Sequence, residues 1–140
     1  MTGKRMLLRT KPGESNMNEL VKTLTSEFGD KEYAHAYVEE FSNMSIAAQI
    51  KALRDQRGWT QKELAGFSGM KQERISALED VNYEAWTAKT LNKLARSFDL
   101  TLKISFEEFS ACISDIDEIS TESLKRISRE EDLLRLKENH

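Results

Sequence analysis

One cysteine, one proline and two histidines among 140 residues close off several kinds of chemistry. Cys112 stands alone, so no disulfide can form within the chain. Cys112, His35 and His140 are too few to supply the four ligands of a structural zinc site. No apolar run is long enough to span a bilayer. Met6-Leu7-Leu8, behind Lys4 and Arg5, is too short for a signal-peptide core, so a cytoplasmic location is the expectation. There is no glycine-rich phosphate loop, no metal-spaced His/Cys set and no nucleophile set beside a base. Tyr33, His35 and Tyr37 are close in sequence, but His35 reads as a surface or locally satisfied histidine. Neither an enzyme activity nor a cofactor or metal is expected.

What is present is charge, unevenly placed. The net charge is −3 and the hydrophobic fraction 39%, enough for one small domain with extensions. From Met44 to Phe106 ten Lys/Arg face seven Asp/Glu, a local charge of +3, whereas residues 107–140 carry five against ten, or −5. Residues 1–43 come to −1. The middle of the chain is therefore mildly basic and its end acidic, and local charge sets the electrostatic footprint.

Four regions follow. Residues 1–16, with Gly3, Pro12, Gly13, Ser15 and Asn16 and no apolar period, read as a flexible N-terminus, and Met17 is an alternative start. Residues 17–43 read as an N-terminal helical extension. Leu20, Val21, Leu24 and Phe28 lie on one helix, and Tyr33, Tyr37, Val38 and Phe41 on a second that Asp30 can cap. They cover their own core or form part of an interface. Residues 44–106 form the central domain. Residues 107–140 read as an acidic tail with a short helix at Phe109, Ile113 and Ile116; it is solvated and partly helical, or folds on a partner.

The centre of the chain carries the function. Ser45 can cap a helix with Ile46, Ile50 and Leu53 as its apolar stripe and Gly58 at its end. Thr60 and Glu63 form a capping box, with Trp59 and Leu64 at staple positions. Leu64 and Ala65 form the buried side of a short helix, Gly69 sits at a sharp turn, and Met70, Ile75 and Leu78 recur on a second helix. Small Ala65 lets the two cross closely. The pattern reads as a helix-turn-helix, a motif in which the N-terminal part of the second helix enters the DNA major groove. After a loop or short helix over Val81–Trp86, Thr87 can cap a last helix bearing Leu91, Leu94, Ala95 and Phe98. The period then changes to two: Leu100, Leu102, Ile104 and Phe106 alternate with Thr101, Lys103 and Ser105, the pattern of a half-buried strand. A lone strand leaves backbone groups unpaired. Its partner is the same strand of a second copy, a strand from a toxin or other protein, or residues near Arg5–Thr10; the homodimer is favoured.

Four stretches carry a family resemblance: Ile46-Ala-Ala-Gln-Ile-Lys-Ala-Leu-Arg-Asp-Gln-Arg-Gly58, Thr60-Gln-Lys-Glu-Leu-Ala65, Ile75-Ser-Ala-Leu-Glu79 and Thr90-Leu-Asn-Lys-Leu-Ala95. Over Ile46–Phe106, a little under half of the chain, the sequence resembles the Xre/Cro phage-repressor family of helix-turn-helix proteins. The resemblance implies a compact five-helix domain, usually dimeric, that regulates transcription; some members are toxin-binding antitoxins and others autorepressors. The expected fold is all-α: a five-helix repressor-like domain, an N-terminal helical extension, and one C-terminal β-strand able to pair across a dimer.

By the same resemblance, Lys71, Gln72, Glu73, Arg74 and Ala77 fall where base-contacting side chains lie. Gln72 can pair bidentately with adenine, Lys71 or Arg74 can reach guanine or a phosphate, and Ala77 can touch a thymine methyl. Glu73 departs from the pattern, since a carboxylate near DNA is repelled unless it accepts from cytosine. Gln61, Lys62, Lys89 and Lys93 are the phosphate candidates. Leu100, Leu102, Ile104 and Phe106 are the candidate dimer interface. The expected function is sequence-specific regulation of transcription, as a dimeric repressor of its own operon on a palindromic site in double-stranded DNA. The alternatives are an antitoxin and a protein-binding adaptor that uses the helices as scaffold.

Overall fold

A computed structural model describes residues 17–139, which form eight helices and no strand. The expectations for residues 1–16 lie outside the described residues. The helices are α1 (Met17–Glu27), α2 (Lys31–Arg57), α3 (Gln61–Ser68), α4 (Gln72–Leu78), α5 (Ala88–Phe98), α6 (Phe109–Glu118), α7 (Thr121–Leu124) and α8 (Arg129–Glu138).

Helix α2 organises the molecule. Asp30 caps it, its carboxylate accepting from Tyr33 N at 3.1 Å, and Gly58 ends it at φ 74°, a left-handed conformation that a residue without Cβ takes freely. Ser45 does not start a new helix. It lies inside α2, where its hydroxyl donates to the Ser42 carbonyl at 3.0 Å. Neither glycine nor proline interrupts residues 31–57, and the apolar positions stay in helical register from Tyr37 through Phe41 and Met44 to Ile50 and Leu53. A serine inside such a run lowers helix propensity by only a fraction of about 1 kcal/mol.

Each half of α2 serves a different core. Its C-terminal half packs Ile50 and Leu53 against Leu64, Ile75, Leu78, Leu91, Leu94 and Phe98 from α3, α4 and α5. Its N-terminal half packs Tyr37, Phe41 and Met44 against Leu24 of α1 and Ile116 of α6. The acidic C-terminal region therefore closes the core begun by the N-terminal helices. Polar contacts tie it down further along. Gln49 Nε2 donates to the Leu124 carbonyl at 2.9 Å, and Arg126 N donates to Gln56 Oε1 at 3.0 Å. Arg57 donates to the carbonyls of Arg126 and Phe98, both at 2.7 Å. Helix α8 is held at its start by Arg129 to Asp99 and buries no residue of its own.

The expected five-helix domain and its β-strand both need correction. Between Met44 and Phe106 only α3, α4, α5 and the end of α2 are helical, because residues 79–87 turn rather than wind. There Asp80 accepts from Asn82 N and Tyr83 N. Leu100–Phe106 has no regular secondary structure. A strand exists only as part of a ladder, and no described segment supplies the facing backbone. The alternation serves packing instead: half-buried Leu100 and Leu102 lie against the helix-turn-helix core, whereas Ile104 and Phe106 face solvent.

Tyr37 offers a test of the second core. Its side chain is 2% exposed and its hydroxyl has no hydrogen-bond partner among the described residues. Burial, assisted by the nearby charges of Tyr33 and Glu27, raises its pKa from 10.0 to about 12. The folded state thus keeps a proton that the unfolded chain releases first. Stability is full below about pH 10 and falls as the pH rises towards 12, at a limiting slope of about 1.4 kcal/mol per pH unit. Tyr37→Phe should abolish this contribution to alkaline loss and leave stability at neutral pH unchanged or higher by about 1 kcal/mol. Urea unfolding at neutral and alkaline pH measures both.

Candidate nucleic-acid interface

The helix-turn-helix begins with the cap that its sequence implies. Thr60 Oγ1 accepts from Glu63 N at 3.0 Å, and Glu63 Oε1 accepts from Thr60 N at 2.8 Å. This reciprocal pair satisfies two otherwise orphan N–H groups of α3. Gly69 then turns the chain at φ 73°, and Met70 N donates to the Ala65 carbonyl. Leu64 and Ala65 of α3 meet Ile75 and Leu78 of α4, all buried. Lys71 caps α4 by backbone alone, with no side-chain hydrogen bond.

Burial of one side of α4 leaves the other free. Lys71, Gln72, Glu73 and Arg74 are exposed and Ala77 is half-buried, so the five expected base-contacting residues share the outward part of one short helix. Arg74 is also engaged within the fold, its Nη2 donating to Thr90 Oγ1 at 3.1 Å. Thr90 in turn sits in the first turn of α5, where Thr87 caps the helix. Arg74 therefore links α4 to α5 and is less free than Lys71 or Gln72. Of the expected phosphate contacts, Lys62, Lys89 and Lys93 are exposed and have no ion pair among the described residues. Gln61 is half-buried, and its Nε2 donates to Glu79 Oε1 at 3.1 Å.

That bond belongs to a cluster that the sequence reading missed. Arg54 Nε lies 2.6 Å from Glu79 Oε2 and Nη2 lies 3.0 Å from Oε1, a two-pronged ion pair. The side chains are 11% and 4% exposed. Arg54 Nη1 also donates to the Trp59 carbonyl at 2.8 Å. The hydrogen bond to Glu79 raises the Arg54 pKa, with burial opposing it, so the guanidinium stays charged. The pair clamps the end of α4 to α2 while Gln61 brings in α3. The available signal was positional: Arg54 follows Leu53 on the apolar side of α2, and Glu79 follows Leu78 at the end of α4. Two opposite charges beside core positions call for each other.

Among the described residues no cluster of three metal-ligating side chains occurs, and no helix is long and apolar enough to cross a membrane.

A capped helix, a left-handed glycine turn and a second helix with one buried and one polar face define a helix-turn-helix DNA-binding protein. The helix-turn-helix family model HTH_3 matches residues 50–104, and the chain belongs to this Xre-like family. It is 38% identical over 64 residues to the antitoxin HipB of Escherichia coli strain K12, covering 46% of this chain and 72% of that protein. The antitoxin HipB of E. coli O6:H1 is 36% identical over 64 residues, with 46% and 67% covered. The competence pilus inhibition repressor of Acinetobacter baylyi is 35% identical over 63 residues, 45% of this chain and 56% of the repressor. No solved structure matches the chain.

The buried pair yields a prediction. Glu79→Ala strands the Arg54 charge and should cost about 3–5 kcal/mol of stability, whereas the double change Arg54→Met/Glu79→Leu should recover most of that loss. Chemical denaturation of the wild type and these two variants decides between an orphaned charge and a pair that contributes nothing.

Proposed function

We propose that the protein is a sequence-specific repressor of transcription that acts as a dimer on a palindromic operator and controls its own operon. The observation that carries this reading is the outward face of α4, where Lys71, Gln72 and Glu73 stand free on a helix whose other side is clamped to the core. Gln72 reads an adenine edge and Lys71 a guanine edge or a phosphate. Glu73 restricts its base to one with a donor, such as cytosine. Arg74 and Ala77 border the same face. Lys62, Lys89 and Lys93 hold the backbone, with Gln61 acting mainly through Glu79. The name of the Acinetobacter relative supports a repressor.

A dimer answers the modest charge of the DNA-binding region. One α4 helix covers few base pairs, and two placed about 34 Å apart address half-sites about one helical turn apart. We assign the contact to Leu100–Phe106. Ile104 and Phe106 supply apolar surface that the chain leaves uncovered, and Leu100 and Leu102 fix the segment to the core.

A second reading, an antitoxin that also binds a toxin, draws on the names of the two E. coli relatives. A toxin-like reading frame beside the gene, and co-purification of its product, would favour it. Loss of DNA binding with partner binding retained would favour the adaptor.

Selection of bound sequences from a random duplex pool tests the central reading. Gln72→Ala should weaken binding by about 1–3 kcal/mol and relax preference at one base position per half-site, with the melting temperature unchanged. Wild-type affinity should also fall steeply between low and physiological salt. A flat salt response with no enriched motif would refute DNA recognition.

Ile104→Glu or Phe106→Glu should shift the protein to a monomer in sedimentation without loss of helicity, and operator binding should weaken with it. The same change at Thr101 or Ser105 should have little effect.

A further inference from the structure

A cleft of about 400 Å³ opens between α2, α5 and residues 100–103, outside the proposed DNA-reading face. Ile50, Leu53, Leu91 and Leu94 line it, and each is less than a tenth exposed, so the cleft reaches the main core. Its size falls in the range of about 300–1,000 Å³ typical of small-molecule sites, which pair apolar walls with a few polar groups. Here the polar groups include two cations, Lys103 and Arg126, both exposed. Neither has an ion pair among the described residues. Arg126 is held in place: its Nη1 donates to the carbonyls of Ser123 at 2.8 Å and Lys125 at 2.6 Å. Asp115 and Glu118 line an adjoining groove that shares Arg126, and they form no ion pair with it.

We propose that this cleft binds a small amphipathic organic acid. The apolar body lies against Leu53, Leu91 and Leu94, and the carboxylate faces Lys103 and Arg126. Charge complementarity selects this occupant. An alcohol of the same shape fills the walls but leaves both cations unanswered, and a compact inorganic anion meets the cations but not the walls.

The test titrates the full chain, without DNA, with decanoate and with decanol as its neutral counterpart. Calorimetry should show saturable one-site binding of decanoate, about tenfold or more tighter than decanol. Trp59 gives an independent optical signal, because its ring stacks on Phe98, a cleft wall, at 5.8 Å between centroids. Replacing Lys103→Gln together with Arg126→Gln should weaken decanoate about tenfold and leave decanol unchanged. Ala95→Phe, at the cleft wall, should abolish both; if that variant does not fold, the surface double variant still decides. No saturable binding, equal affinity for acid and alcohol, or a double variant that binds as the wild type does would overturn the proposal. So would loss of binding as protein concentration rises, which would assign the cleft to a second copy. DNA plays no part in the measurement, so failure here leaves the repressor reading untouched.

Discussion

The orientation of α4 rests on one buried ion pair. α4 is seven residues long and α3 eight, too short to be stable alone, so neither helix can set its own direction. Apolar contacts between them resist separation but tolerate small rotations. Arg54 and Glu79 do not, since two parallel N–H···O contacts of 2.6 and 3.0 Å define both distance and angle. Gln61 and the Trp59 carbonyl occupy further valences of the same two groups. Desolvation makes such a pair a weak source of net stability. Its contribution is geometric: it holds the polar face of α4 in one position relative to α2 and α3, and Arg74 with Thr90 extends that control to α5.

Helix α2 carries this arrangement into the rest of the molecule. It is one unbroken helix that contributes to both cores, so the helix-turn-helix and the module formed by α1 and α6 share a rigid element. Residues from both ends of the chain complete the second core. Further C-terminal contacts, from Leu124, Arg126 and Arg129, reach α2 and the end of α5. Two of these long-range bonds end on backbone carbonyls and the third is an ion pair with Asp99, contacts that leave no periodic trace in sequence.

Local features explain what was legible. The Thr60–Glu63 box, the turn at Gly69, and the spacing of Leu64, Ile75 and Leu78 are each decided within a few residues by capping, φ preference and helical period. The cap at Thr87 and the inward face of α5 are of the same kind. Ser45 misled because a residue that caps well also sits inside a helix when its flanks stay apolar in register. Leu100–Phe106 misled because alternation records which side chains are buried, not whether a facing strand exists. Arg74 looked free because nothing near it in sequence announces Thr90, sixteen positions away.

By itself the sequence determined the helix-turn-helix and the residues on its outer face, because a short amphipathic helix with fixed caps has only one side to bury. Tertiary structure decided the rest. It joined Arg54 to Glu79, drew Gln61 and Arg74 into the framework, made one helix of residues 31–57, and folded the acidic C-terminal region onto the N-terminal helices. The physical reason is separation along the chain. Period and capping act over three or four residues, whereas a buried charge or an apolar face finds its partner only when the whole chain has closed around it.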